Sequence, residues 1–230
     1  MEQSKEKRSN GLFVGFWHYG VILTYLSVAA AIVGIYFSVG GNKAPQPHIG
    51  VICLLISGFC DAFDGAVART RKNRTREDCM FGERIDSLSD LIAFGVAPTA
   101  IGFGMDINRW FFIPVFVIYV LCALIRLAYF DVTEEIRMED PNCGKRKFYE
   151  GLPVTNAGFI VPMCYIIATM FSNGGVGYTA TMIIGYLVVA FLFIFRFKMP
   201  KLGVKDILKV MVLIAVVLGL LLFINLKVIN

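Results

Sequence analysis

Residues 61–90 read DAFDGAVARTRKNRTREDCMFGERIDSLSD. The stretch sets Asp61 and Asp64 three residues apart and Asp86 and Asp90 four apart, with a basic run between the two pairs. The chain is apolar upstream of Asp61 and again downstream of Asp90. At about 100° per residue, spacings of three and four bring side chains onto one face of a helix. Gly65 and Ala68 share the face of Asp61 and Asp64, and Gly82 stands one turn before Asp86. The pattern predicts two helices, each offering two carboxylates beside residues with little or no side chain. Such small residues let a second backbone or a bulky phosphate ligand approach closely.

The surroundings of this stretch make it a membrane site. The chain has 230 residues, 57% hydrophobic and 17% charged, with a mean hydropathy of +0.69. An ordinary soluble domain is roughly 45–50% apolar. About twenty apolar residues cross a bilayer core of about 30 Å, and such segments occur at 19–39, 47–68, 86–105, 110–130, 154–172, 178–196 and 207–226. They are continuous runs rather than short alternating ones, so the expected fold class is all-α, a polytopic transmembrane helical bundle. One integral membrane domain is expected over 1–230: a cytoplasmic segment at 1–18, six apolar segments over 19–196 and a seventh at 207–226. The first apolar run is too long for a cleaved signal, so it is read as a retained helix. Six cysteines without CxxC spacing predict neither a zinc site nor a disulfide framework.

Lysine and arginine set the orientation. With the N-terminus in the cytoplasm and every segment crossing, 18 of them fall on the cytoplasmic side and three, Lys43, Arg109 and Lys227, on the other. Arg126 lies within a segment. The Asp61–Asp90 stretch is thereby expected at the cytoplasmic face of a multi-pass membrane protein. In a bacterium or archaeon that is the cell membrane. The net charge of +5 reads as this bias plus attraction to anionic headgroups, and no nucleic-acid partner is expected.

Four facing carboxylates repel one another, and protonation or a cation must resolve that. Oxygen-only ligands without His or Cys suit Mg²⁺, Mn²⁺ or Ca²⁺. Four carboxylates suffice for a two-metal site, the arrangement that clamps attacking and leaving oxygens in phosphoryl chemistry. Arg69, with Arg71 or Arg84, offers positive charge for phosphate oxygens. The alternative, interfacial acids paired with the basic loop, suits a single Asp better than four at two helical spacings. Arg126 has two readings: snorkelling to the cytoplasmic interface, or pairing with an anion.

Asp61-x-x-Asp64-Gly65-x-x-Ala68-Arg69 followed by Gly82-x-x-x-Asp86-x-x-x-Asp90 resembles the signature of the CDP-alcohol phosphotransferases at all eight positions. The gap between the two halves is several residues longer than is usual in that family. FGERIDSLSDLIAFGVAP, the segment Arg126-Leu127-Ala128-Tyr129-Phe130 and the turn Gly151-Leu152-Pro153 further resemble its phosphatidylserine synthase branch, although Asp131 stands where Asn is commoner. The resemblance covers roughly residues 19–196, which it implies form a catalytic six-helix core, with 207–226 as an extra C-terminal helix. For Arg126 it implies a lipid phosphate or a serine carboxylate as the anion contacted. It implies CDP-diacylglycerol and L-serine as substrates, acyl chains in the lipid bilayer, and two divalent cations on Asp61, Asp64, Asp86 and Asp90, with Asp61 and Asp86 bridging. It also implies Asp90 as general base, and Gly65, Ala68, Arg69 and Gly82 around the nucleotide and pyrophosphate. A homodimer is the family-level expectation. Two other readings stand beside it: the same family with glycerol 3-phosphate or inositol phosphate as acceptor, and a cation-coupled transporter. Against the transporter, the acids cluster at the cytoplasmic edge and no broken helices appear in matched halves.

Overall fold

The computed structural model describes residues 19–41, 44–68, 70–71, 75–105, 107, 110–138, 148–171 and 175–200, and then 206, 208–210, 212–217 and 219. The expected cytoplasmic segment 1–18, Arg69 and residues 220–226 of the last expected helix lie outside them.

Among the described residues up to 200, six helical rods follow one another. A short 3₁₀ turn leads into α1 (Ile22–Ser38), and Pro47 opens α2 (Pro47–Ala68), where its missing N–H is no loss. Next comes α3 (Arg76–Asp90), which runs through a π-helical stretch, Leu91–Val96, into α4 (Ala97–Gly104). The others are α5 (Ile113–Met138), α6 (Ala157–Phe171) and α7 (Val176–Ile194). Five stretches are long and apolar enough to cross a membrane: Tyr19–Ser38, Pro47–Gly65, Glu77–Gly104, Trp110–Arg137 and Val176–Ile194. Val154–Met170 and Leu208–Val217 are shorter apolar helices. The chain is an integral membrane protein with a helical architecture.

Two boundaries differ from the hydropathy reading, both because polar helix turns carry no apolar signal. The third helix begins at Arg76 rather than Asp86. Thr75 caps it: its hydroxyl accepts from the Asp78 amide at 3.0 Å, and the Asp78 carboxylate accepts from the Thr75 amide at 3.1 Å. Half of the long gap between the signature halves is therefore helix. The fourth long helix continues to Met138, eight residues beyond the apolar segment expected to end at 130. Beyond it, β1 (Phe148–Glu150) pairs antiparallel with β2 (Lys198–Pro200), with Tyr149 opposite Met199.

The tightest crossing joins α1 and α2. A Cβ on Gly34 would stand 2.8 Å from the Cys53 Cβ, and one on Gly50 would stand 1.9 Å from the Ser38 Oγ. Only glycine permits that approach. Ser27 and Ser57 then exchange hydroxyl-to-carbonyl hydrogen bonds at 3.2 and 2.9 Å. A second fixed point lies behind the π-helical stretch. Pro98 has no N–H to donate to the Phe94 carbonyl four residues earlier, and the Tyr119 hydroxyl of α5 donates to it instead, at 2.8 Å. Tyr186 of α7 donates to the Pro98 carbonyl at 2.5 Å. Phe94, Tyr119, Tyr186 and Phe193 are buried together at the centre of the bundle.

Candidate functional site

Asp61 and Asp64 stand near the C-terminal end of α2, and Asp86 and Asp90 at the C-terminal end of α3. Carboxylate oxygens of Asp61, Asp86 and Asp90 lie within 4.8 Å of one another. Asp64 stands beside this trio. One turn from Asp61, its Oδ2 accepts from the Thr24 hydroxyl of α1 at 3.2 Å. The two half-sites expected from helical spacing thus meet, with three acids in one group and the fourth tied to α1.

The residues present fit a hard divalent cation. The donor set is oxygen only, and Asp86 Oδ1 is buried with no hydrogen-bond partner among the described residues. A buried carboxylate oxygen left without a donor is costly unless a cation meets it.

One wall of the site continues into a cavity of about 480 Å³ between α3 and the last turns of α5. Its lining includes Asp86, Glu83, Asp131, Glu134 and Glu135, with Arg84 as the basic residue. Arg84 bridges the helices, donating to Asp131 at 3.3 Å and to Glu135 at 2.7 Å. The Ser87 hydroxyl donates to the other Asp131 oxygen at 2.7 Å. Asp131 is thereby fixed from two sides, next to the residue that follows Asp86.

The remaining sequence-derived residues fall in three places. Gly65, Ala68 and Gly82 lie half-buried on α2 and α3. Among the arginines offered for phosphate, Arg71 forms an ion pair with Asp78 at 3.0 Å and Arg84 is engaged as above. Arg126 is 6% exposed, so it does not snorkel into water. Its Nε donates to the Leu152 carbonyl at 3.1 Å, and it lines a separate cavity of about 140 Å³ with Tyr129, Glu150 and Arg196. It anchors the Gly151-Leu152-Pro153 turn, where Gly151 has φ +77° and suits no residue with a side chain as well as glycine. Thr24 and Ser87 were not signalled by the sequence, because a lone hydroxyl on a helix looks the same whether or not it meets a carboxylate.

The sequence matches the CDP-alcohol phosphatidyltransferase family over residues 17–228. It is 41% identical over 115 residues to the CDP-diacylglycerol–serine O-phosphatidyltransferase of Saccharomyces cerevisiae, a match covering 49% of this chain and 40% of that protein. It is 30% identical over 146 residues to the archaetidylserine synthase of Methanothermobacter thermautotrophicus, covering 63% and 56% of the two chains. A CDP-diacylglycerol–serine O-phosphatidyltransferase of Helicobacter pylori is 28% identical over 204 residues, covering 86% and 79%. For the yeast and archaeal relatives, the shared region is about half of their length.

Proposed function

The chain belongs to the CDP-alcohol phosphatidyltransferase family, and from that premise we propose that it transfers the phosphatidyl group of CDP-diacylglycerol to L-serine, releasing CMP. The observation that carries the chemistry is the meeting of Asp61, Asp86 and Asp90 from two helices, with Asp64 alongside. These four acids hold two divalent cations, Mg²⁺ or Mn²⁺ with Ca²⁺ as a further candidate. Such ions, when bound, neutralise the carboxylates and polarise phosphoryl oxygens. Asp90 accepts the proton of the serine hydroxyl as its oxygen bonds to phosphorus, and the phosphorus–oxygen bond to CMP breaks with its electron pair leaving on CMP. Gly65, Ala68 and Gly82, with Arg69, shape the nucleotide and pyrophosphate pocket, small residues allowing the ligand close to the backbone. Arg126 acts at one remove, by holding the turn at Leu152.

The acceptor is favoured by charge. The cavity against Asp86 carries five carboxylates and one arginine on its wall. That lining attracts an ammonium group and repels a phosphate. An amino alcohol such as serine suits it; glycerol 3-phosphate and inositol phosphate do not. The names of the yeast and Helicobacter relatives point the same way. The lysine and arginine bias supports an active site facing the cytoplasm, with the acyl chains of the lipid in the bilayer, and the family supports a homodimer as the working form.

The test is the purified protein in detergent with CDP-diacylglycerol, Mg²⁺ or Mn²⁺, and acceptors supplied singly, scored by CMP. Serine-dependent CMP release that stops with EDTA is expected. Release with glycerol 3-phosphate or inositol phosphate but not serine would reassign the acceptor. Absence of release with all of them would reject the transferase reading.

A further inference from the structure

We propose that Thr24 of α1 is a positioning residue for the carboxylate site, holding the rotamer of Asp64, one helical turn from Asp61. The inference rests on the metal-binding role proposed above for Asp64. The face that α1 turns to the bundle is made of Thr24, Ser27, Ala31, Gly34 and Ser38, alternating three and four residues apart. That spacing keeps one narrow stripe in contact with a neighbouring helix, and the stripe is built for closeness rather than for apolar bulk. Ser27 takes a backbone partner on α2. Thr24, one turn nearer the N-terminus, instead donates to a carboxylate oxygen, Asp64 Oδ2, at 3.2 Å. Thr24 is 4% exposed and Asp64 9%, so water does not compete readily for this bond.

An aspartate has two side-chain torsions, and a helix backbone alone leaves more than one rotamer open. With one oxygen held from α1, Asp64 is locked while its other oxygen is left for a cation. Partners behind metal ligands orient them in this way, and their loss typically lowers metal affinity by roughly 10–100-fold. Thr24 brings a third helix into a site whose acids come from only two. It also gives the buried Thr24 hydroxyl a carboxylate partner, where Ser27 on the same stripe has a backbone one. The chemistry needed is a donor, and threonine supplies it with a methyl group that fills the seam.

The test is Mn²⁺ binding followed by electron paramagnetic resonance on the purified full-length protein in detergent, with serine-dependent CMP release measured in parallel. Thr24→Val keeps the shape and removes the donor; Thr24→Ala removes both without risk of a clash. Both are expected to weaken Mn²⁺ roughly tenfold, to raise the Mn²⁺ concentration needed for half-maximal activity in parallel, and to leave the KM for serine in place. Thr24→Ser, which keeps the donor, is expected to bind Mn²⁺ like the parent protein. Ser27→Ala deletes a comparable bond one turn away and is expected to leave Mn²⁺ affinity unchanged. Parent-like affinity in the valine and alanine variants would overturn the proposal, as would an equal loss in Ser27→Ala. Parent protein with no Mn²⁺ uptake that Asp86→Asn abolishes would overturn the metal reading itself, and the positioning role with it.

Discussion

Asp86 and Asp90 are chemically identical and one helical turn apart, yet their surroundings differ. Asp86 borders the acid-lined cavity and carries the orphaned oxygen, whereas Asp90 sits against Asp61. Asp90→Asn preserves size and removes the base. CMP release is expected to fall by at least a hundredfold, within the 10²–10⁴-fold that a positioned acid or base contributes. CDP-diacylglycerol binding, followed by thermal shift of the purified protein, is expected to stay within a few-fold. Asp131→Asn separates charge from geometry, because the amide oxygen still accepts from Ser87 or Arg84. Loss of one charge facing an ammonium group is expected to raise the KM for serine roughly tenfold and to leave that for CDP-diacylglycerol unchanged in steady-state assays. At this scale the four acids were legible from spacing alone. Thr24 and Asp131 were not: each acts through a partner 40 or 44 residues away, and no local pattern encodes such a distance.

Helices were legible where apolar residues repeat, and blurred where they do not. The start of α3 was missed because Arg76-Glu77-Asp78 is polar, although Thr75 and Asp78 hold the two ends of a capping box that could have revealed it. The π-helical stretch Leu91–Val96 was invisible, since one surplus residue in a helix alters no composition. Its stability depends on a contact from another rod, the Tyr119 hydroxyl at the Phe94 carbonyl. Tyr119→Phe leaves that carbonyl buried without a donor and is expected to destabilise the protein by about 1–3 kcal/mol. A lowered melting temperature in detergent, with the KM for serine unchanged, is the measurement that checks it.

For the molecule as a whole, the sequence carried the class, because hydrophobic length is summed over many residues and survives local errors; the basic-residue bias adds an expected orientation. Thr70, exposed just beyond α2, is expected on the cytoplasmic side. In a cysteine-depleted protein expressed in bacterial cells, Thr70→Cys is expected to react with a membrane-impermeant maleimide only after the cells are opened. Labelling of intact cells would invert the orientation. The way the rods meet was not legible. The α1–α2 crossing follows from two glycines whose importance shows only in three dimensions, since Gly34 and Gly50 differ in sequence context from no other glycine of an apolar segment.

The π-helical stretch follows directly after Asp90 and joins the half of the rod that bears carboxylates to the half that packs in the bundle core. One surplus residue at about 100° per residue turns one half against the other by roughly that angle. The bearing of Asp86 and Asp90 is therefore set by a phase offset, not by the acids themselves. Deleting a single residue between 91 and 96 would leave every carboxylate in the chain and rotate two of them away from the other two. The helix works as a key cut with its teeth in one plane and its handle in another.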